Sequence, residues 1–394
     1  MLFLAASLTL SLCALSSAQV TTGRLQAQTD PHYASQANHD AGSDEQIRTE
    51  ERRAEEELQK GTALTRSGSF SEAIPHLLGA QGKVHNQYAA SFNLALCYVG
   101  IGEYKRAISI LNDLHREGHE GADVENLLAQ AYIGNGQSKE ALASFEKAAL
   151  ATPQSEKLYL LVADACMEHQ EFSLGLKVVD IGLNILPQSA RLHYQRGMFL
   201  SQLDQFDRAR TDFELASNLA AGSEIGYLST AYENLLAGDI AEAIREAREG
   251  INKGSQNPIL LTVLGQALLR SGIVPGQREF SEAQTALETA VSERPSDTGS
   301  QIALGQIYLA AGRLEDAVTH LEKARKMRPS QPAIYPSLAR AYQRHGDAQQ
   351  AQEALTTLEM LNQAQADRIR SAPGDSKVSY GGGVRAKEPA LPHQ

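Results

Sequence analysis

Written in rows of 34 residues from Ala54, the chain repeats itself, and this period constrains its fold more than any other feature. The fifteenth place of successive rows reads Gly68, Gly102, Gly136, Gln170, Asp204, Gly238, Gly272, Gly312 and Gly346. The twentieth reads Ala73, Ala107, Ala141, Gly175, Ala209, Ala243, Ala283, Ala317 and Ala351. The eighth holds only small residues: Gly61, Ala95, Ala129, Ala163, Gly197, Ala231, Gly265, Gly305 and Ala339. Apolar residues at helical spacing lie on both sides of the fifteenth place, so each row predicts two amphipathic helices joined by a short turn. Glycine in that turn can take the left-handed conformation that ends the first helix. Small side chains at the eighth and twentieth places let the two helices approach to about 8–10 Å. Phe70, Tyr104, Phe172, Phe206 and Phe280 open the second helix, and Pro153, Pro187, Pro295 and Pro329 close it.

These columns resemble the tetratricopeptide repeat family, whose unit is a 34-residue helix–turn–helix. The resemblance spans nine rows: 54–87, 88–121, 122–155, 156–189, 190–223, 224–257, 258–297, 298–331 and 332–365. It is clearest in "FNLALCYVGIGEYKRAI", with Ala95, Tyr98, Gly102, Tyr104 and Ala107. It implies an all-α fold, an α-solenoid of about nine repeats wound as a right-handed superhelix, with the first helices lining its concave side. The family's frequent Trp is absent, and Tyr159, Tyr227 and Tyr335 stand in its place. The fourth row departs most, with Cys166 for the usual Tyr and with Gly175 and Gly182 inside its second helix. Each glycine costs a helix roughly 1 kcal/mol relative to Ala, so this row is the expected soft point. The seventh row carries a six-residue insertion within "SGIVPGQREFSEA", residues 271–283. The register resumes at Phe280 and Ala283, which reads as an edge insertion and not a domain boundary.

The first eighteen residues, "MLFLAASLTLSLCALSSA", are uncharged, mostly apolar and end in small residues, as a cleaved secretory leader requires. Cleavage would leave Gln19 as the first residue and make the protein exported, periplasmic or secreted. An uncleaved anchor and a lipid on Cys13 remain as alternatives, and either would tie the chain to a membrane. Residues 19–43 are polar and read as disordered. The charged stretch up to residue 53 leads as a helix into the first row, and residues 366–394 are a helix end followed by a flexible tail. Cys97 and Cys166 fall on first helices two rows apart, roughly 20 Å at about 10 Å per helix layer. A disulfide needs Cα atoms within about 7 Å, so free buried thiols are expected.

The formal charge of −11 opposes a nucleic-acid backbone. "HREGH" spaces His115 and His119 four apart, but it lacks the Glu of a zinc-protease pattern and reads as solvated surface histidines. "GGGVRA" in the tail has no strand–helix context and reads as linker. With no nucleophile elbow, phosphate loop or paired Cys-x-x-Cys, the chain reads as non-catalytic, without metal, cofactor or evident small-molecule substrate.

A binding surface is the better prospect. In the family the second, fifth, ninth and twelfth places of each row face the groove. By that resemblance the contact residues are Leu160, Met167, Tyr194, Met198, Ile225, Leu228, Tyr232, Leu235, Ile259, Leu269, Ile302 and Leu309. The first and third rows are more polar there, with Glu55, Thr62, Asp123, Asn126 and Gln130. The family's carboxylate clamp and asparagine ladder are not matched. The expected function is a scaffold that holds a protein or peptide segment in the groove. The alternatives are an assembly factor acting through its outer face or edges in an envelope complex, and a targeting or regulatory subunit of a separate enzyme.

Overall fold

The structure, a computed structural model, describes residues 31–371. The expectations for the leader, for Cys13 and for "GGGVRA" lie outside those residues. Helices follow in pairs, with no strand among the described residues. The first pairs are α1 (Pro31–Arg66) with α2 (Phe70–Ala80), α3 (Gln87–Gly100) with α4 (Tyr104–Arg116), and α5 (Ala122–Gly134) with α6 (Ser138–Ala151). Next come α7 (Glu156–Glu168) with α8 (Phe172–Ile185), α9 (Ala190–Gln202) with α10 (Phe206–Leu219), and α11 (Glu224–Ala237) with α12 (Ile240–Asn252). The last are α13 (Pro258–Arg270) with α14 (Arg278–Glu293), α15 (Thr298–Ala310) with α16 (Leu314–Met327), and α17 (Tyr335–His345) with α18 (Ala348–Ser371). Each pair is one row of the sequence, and the whole is an all-α helical repeat solenoid.

Two compact units divide inside α13, between Val263 and Leu264. The division lies upstream of the insertion, which is an exposed loop between Arg270 and Arg278. There the Gln277 side chain accepts the Val274 N–H at 3.0 Å. At the other end, the irregular chain expected over 19–43 is helix from Pro31 onward. Pro31 sits in the first turn, where its missing N–H removes no helical bond. Once the first row has formed, each added residue extends the helix at low cost.

The turn within each row has one solution. All nine residues of the fifteenth column have positive φ, including the two that are not glycine, Gln170 at 61° and Asp204 at 58°. In every row but the seventh, where the insertion follows, the N–H of the next residue then reaches back five positions, as in Glu103 to the Tyr98 carbonyl at 2.8 Å and Glu171 to the Cys166 carbonyl at 2.8 Å. This bond satisfies a carbonyl that the helix end would otherwise leave open.

Beyond the turn, the eighth column meets the second helix of its own row. A Cβ on Gly197 would lie 2.8 Å from the Phe213 ring, too close for any side chain. The two glycines of the fourth row have the same purpose. A Cβ on Gly175 would fall 2.2 Å from the Phe199 ring, and one on Gly182 2.9 Å from Tyr159. The helix-propensity cost that marked this row as soft is thus offset by aromatic packing from α7 and α9.

The fourth column carries a polar device that the apolar pattern hides. Its side chain donates to the carbonyl of the proline six residues earlier: Tyr159 to Pro153 at 2.8 Å, His193 Nε2 to Pro187 at 3.1 Å, Gln301 to Pro295 at 2.8 Å, and Tyr335 to Pro329 at 2.5 Å. Each bond ties the start of a first helix to the loop before it. In three rows the fourth-column residue pairs with the second helix nineteen positions on, joining Glu57 to His76, His193 to Asp212 and Gln301 to His320, the last two in addition to the proline bond.

Within the unit ending at Val263, every first helix touches the next first helix, from α1 through α11. Among its second helices only α6 and α8 come comparably close. The first-helix side is therefore the inner side of this stack.

A left-handed conformation costs a non-glycine residue about 1–2 kcal/mol. Gln170→Gly is expected to raise stability by about 1 kcal/mol, while Gly102→Val lowers it, both read as midpoint shifts in urea unfolding.

Candidate binding surface

The twelve residues expected to line a groove separate by burial. Tyr194, Leu228, Leu235, Ile302 and Leu309 are buried, Leu228 to 1% exposure. Leu160, Met167, Met198, Ile225, Tyr232, Ile259 and Leu269 are half-buried, and none of the twelve is fully exposed. The sixth row, apolar at all four places, thus gives two of its four residues to the core. Helical spacing cannot separate an inner face open to solvent from one covered by the adjacent first helix. Tyr232 is also held in place, its ring stacked on Phe213 with centroids 5.4 Å apart and Tyr194 at 6.3 Å.

The second row supplies what the sequence reading passed over. Its corresponding places are Ala89, Phe92, Leu96 and Val99, all apolar, with Tyr88 just before them. Tyr88, Phe92, Leu96 and Val99 are half-buried and pack on the Leu111, Leu114, Val124 and Leu128 cluster between α3, α4 and α5. The signal was in the same columns already used for the later rows. Tyr88 and Phe92 stack one helical turn apart, with centroids 5.6 Å apart and planes 21° from parallel. The Tyr88 hydroxyl donates to Asp123 on the first turn of α5. Burial and the Asp123 carboxylate push the Tyr88 phenol well above its ordinary value, so it stays a donor.

Of the polar residues expected beside this surface, Asp123 is exposed, whereas Asn126 is buried and donates to the Leu158 carbonyl at 3.2 Å. Asn126 also accepts from Gln130 at 2.7 Å, so it bridges α5 to α7. On α7, Asp164 is exposed and accepts from Gln195 at 2.8 Å. The inner side up to Val263 therefore alternates apolar strips with fixed polar groups.

The histidines of "HREGH" are not both solvated. His115 is half-buried between Glu120 and Glu125, each at 3.3 Å, while His119 is exposed and lies against Tyr88. Glu125, a buried carboxylate in the fourth column, also binds Lys147 at 3.1 Å. Among the described residues, no group of three His, Cys, Asp or Glu side chains could hold a metal ion. Cys97 and Cys166 are free and buried. Burial, helped by the Glu171 carboxylate, pushes the Cys166 thiol up to about 12, so it stays protonated and unreactive. No described helix is long and apolar enough to cross a membrane.

The strongest ionic network lies at His193. Asp212 accepts from His193 Nδ1 at 2.9 Å and from Arg196 Nε and Nη2 at 2.8 and 2.7 Å, and Arg196 also reaches Asp180 at 3.2 Å. Burial acts to raise the Asp212 carboxyl. The hydrogen bonds from His193 and Arg196, with the Arg196 charge, outweigh it and hold the group below its ordinary value.

Sequence models of the tetratricopeptide repeat match residues 58–121, 124–155, 190–222 and 276–372, together more than half of the chain. The chain belongs to the tetratricopeptide repeat family. A TPR repeat-containing protein of Bacillus subtilis, YpiA, is 23% identical over 294 residues, covering 75% of this chain and 60% of that protein. The TPR repeat-containing thioredoxin TDX of Arabidopsis thaliana is 28% identical over 110 residues, 28% of this chain and 29% of that one. The chain thus spans 60% or less of the length of these curated relatives. A tetratricopeptide repeat protein from Parabacteroides merdae superposes with a TM-score of 0.47 at 20% identity, covering 64% of this chain and 98% of that one.

In this repeat protein, Leu228→Ala removes a fully covered side chain and is expected to cost about 2–5 kcal/mol in denaturant unfolding. Asp212 contributes stability that is complete above the unfolded carboxyl value of about 4 and is lost as pH falls through its lower folded value. Asp212→Asn therefore destabilises at neutral pH, and its gap from the parent narrows below about pH 4, as a pH series of thermal melts will show.

Proposed function

We propose that this protein is a non-catalytic scaffold that holds a protein or peptide segment against the inner, first-helix side of the unit ending at Val263. The observation that carries the reading is the half-buried apolar strip of Tyr88, Phe92, Leu96 and Val99. Leu160, Met167 and Met198 continue it on later rows. Aromatic and methionine side chains give contact area at modest ordering cost and adapt to a partner's shape. The polar groups between them are held by bonds within the fold, which suits a peptide backbone that needs hydrogen-bond partners along its length. Export of the chain through its apolar first eighteen residues is part of the same proposal.

A specific observation favours a second reading, an assembly factor that bridges subunits through its outer face. Leu150, Ile185, Leu215 and Leu219 are exposed on the second helices α6, α8 and α10, Leu150 to 83%. Exposed apolar groups on neighbouring elements mark contact surfaces when they are contiguous.

Affinity capture with the full chain separates the two. With Leu96→Gln and Met198→Gln combined, recovery of the copurifying partner is expected to drop about tenfold or more, while helicity by circular dichroism is kept. Leu215→Lys with Leu219→Lys leaves recovery unchanged. The opposite pattern transfers the function to the outer face.

A further inference from the structure

The Tyr88 cluster has a composition that a general apolar strip does not need. Tyr88 and Phe92 form one aromatic plate on α3, and the exposed His119 ring leans on Tyr88 with centroids 4.8 Å apart. Asp123 stands at the edge of the plate, exposed, with the Tyr88 hydroxyl as a donor. Among the described residues, no Lys, Arg or His side chain forms an ion pair with Asp123. Glu120, three residues before Asp123 in the loop before α5, adds a second exposed carboxylate close in sequence. The chain as a whole carries −11.

The protein contains a complete version of this arrangement elsewhere. In the eighth row the Arg313 guanidinium lies over the Tyr308 ring, 4.2 Å from its centroid. Arg313 pairs with Asp316 at 2.7 Å, and the Tyr308 hydroxyl donates to Glu288 at 2.9 Å. The parts there are an aromatic face, a carboxylate accepting the phenol, a carboxylate for the cation, and the arginine itself. At Tyr88 the aromatic face and the carboxylate are present, and the chain supplies no arginine.

We propose that the Tyr88–Phe92 plate with Asp123 is a subsite for an arginine side chain of the bound peptide. A planar guanidinium stacks on an aromatic face and still presents N–H donors at its rim to a carboxylate, which a lysine ammonium cannot do together. The bound segment is then cationic, its arginine seated between α3 and α5 and its apolar side chains on Leu96 and the later rows. This rests on the inner-side reading given above and adds the chemistry of the partner to it.

The test uses the full chain and blocked, fluorescently labelled pentapeptides with a central arginine, citrulline or glutamate flanked by leucines, followed by anisotropy up to millimolar protein. Citrulline keeps the shape of arginine and removes its charge. The arginine peptide is expected to bind at least about tenfold more tightly than the citrulline peptide, with the glutamate peptide weakest and the preference reduced by salt. Asp123→Asn is expected to erase the arginine preference, and Phe92→Leu to weaken the arginine peptide about tenfold, with thermal melts of both variants confirming that they fold. Equal binding of arginine and citrulline, a preference that survives Asp123→Asn, or no saturable binding of the arginine peptide would each overturn the subsite. The inner-side reading has its own readout, partner capture by the Leu96 and Met198 variant. Loss of capture there with no arginine preference sinks the subsite alone.

Discussion

A single left-handed residue in each row is the constraint on which the solenoid depends. It stops the first helix and directs the chain back, and in every row but the seventh, which carries the insertion, the next N–H closes on a carbonyl five residues behind. With the reversal set, the second helix returns antiparallel to the first, and the eighth column must be small where the two meet. Gly265, where a Cβ would fall 2.4 Å from Leu287, is the tightest expression of that requirement among the eighth-column glycines. Gln170 and Asp204 keep the same backbone without glycine, so the packing of neighbouring rows in their unit holds a conformation the residue itself disfavours.

A second layer of order is polar. Four fourth-column side chains bind the proline carbonyl of the preceding loop, two of them, His193 and Gln301, also reach their own second helix, and Glu57 makes the helix contact alone. His193, Asp212 and Arg196 are the fullest case, the Asp212 carboxylate joining second helix to first and the far nitrogen of His193 reaching the loop carbonyl of Pro187. Loss of one partner would leave a buried charge without compensation, which is costlier than loss of an exposed pair.

The candidate surface was only partly legible. The groove-facing columns name positions on the first helices, but Leu228 and Leu235 lie in the core, and the Tyr88–Phe92 strip occupies the same columns of a row not singled out from the sequence. Both differences have one cause. A place in the row sets the direction of a side chain, whereas its exposure depends on the neighbouring row, as where Tyr194 and Phe213 of the fifth row pack against Tyr232 of the sixth. The pairing of Tyr88 with Asp123 joins residues 35 positions apart, beyond the reach of any helical pattern.

By itself, the sequence determined the helix–turn–helix unit, its nine copies, the place of the insertion and the separation of Cys97 from Cys166. Each of these follows from local backbone preference and the spacing of small and apolar residues. Tertiary structure alone decided which inner residues remain open, which carboxylates and histidines find one another, and why Gly175 and Gly182 belong in a helix. These depend on contacts between helices, within a row and between rows, and such contacts are set by side-chain shape across a packed interface and not by order along the chain.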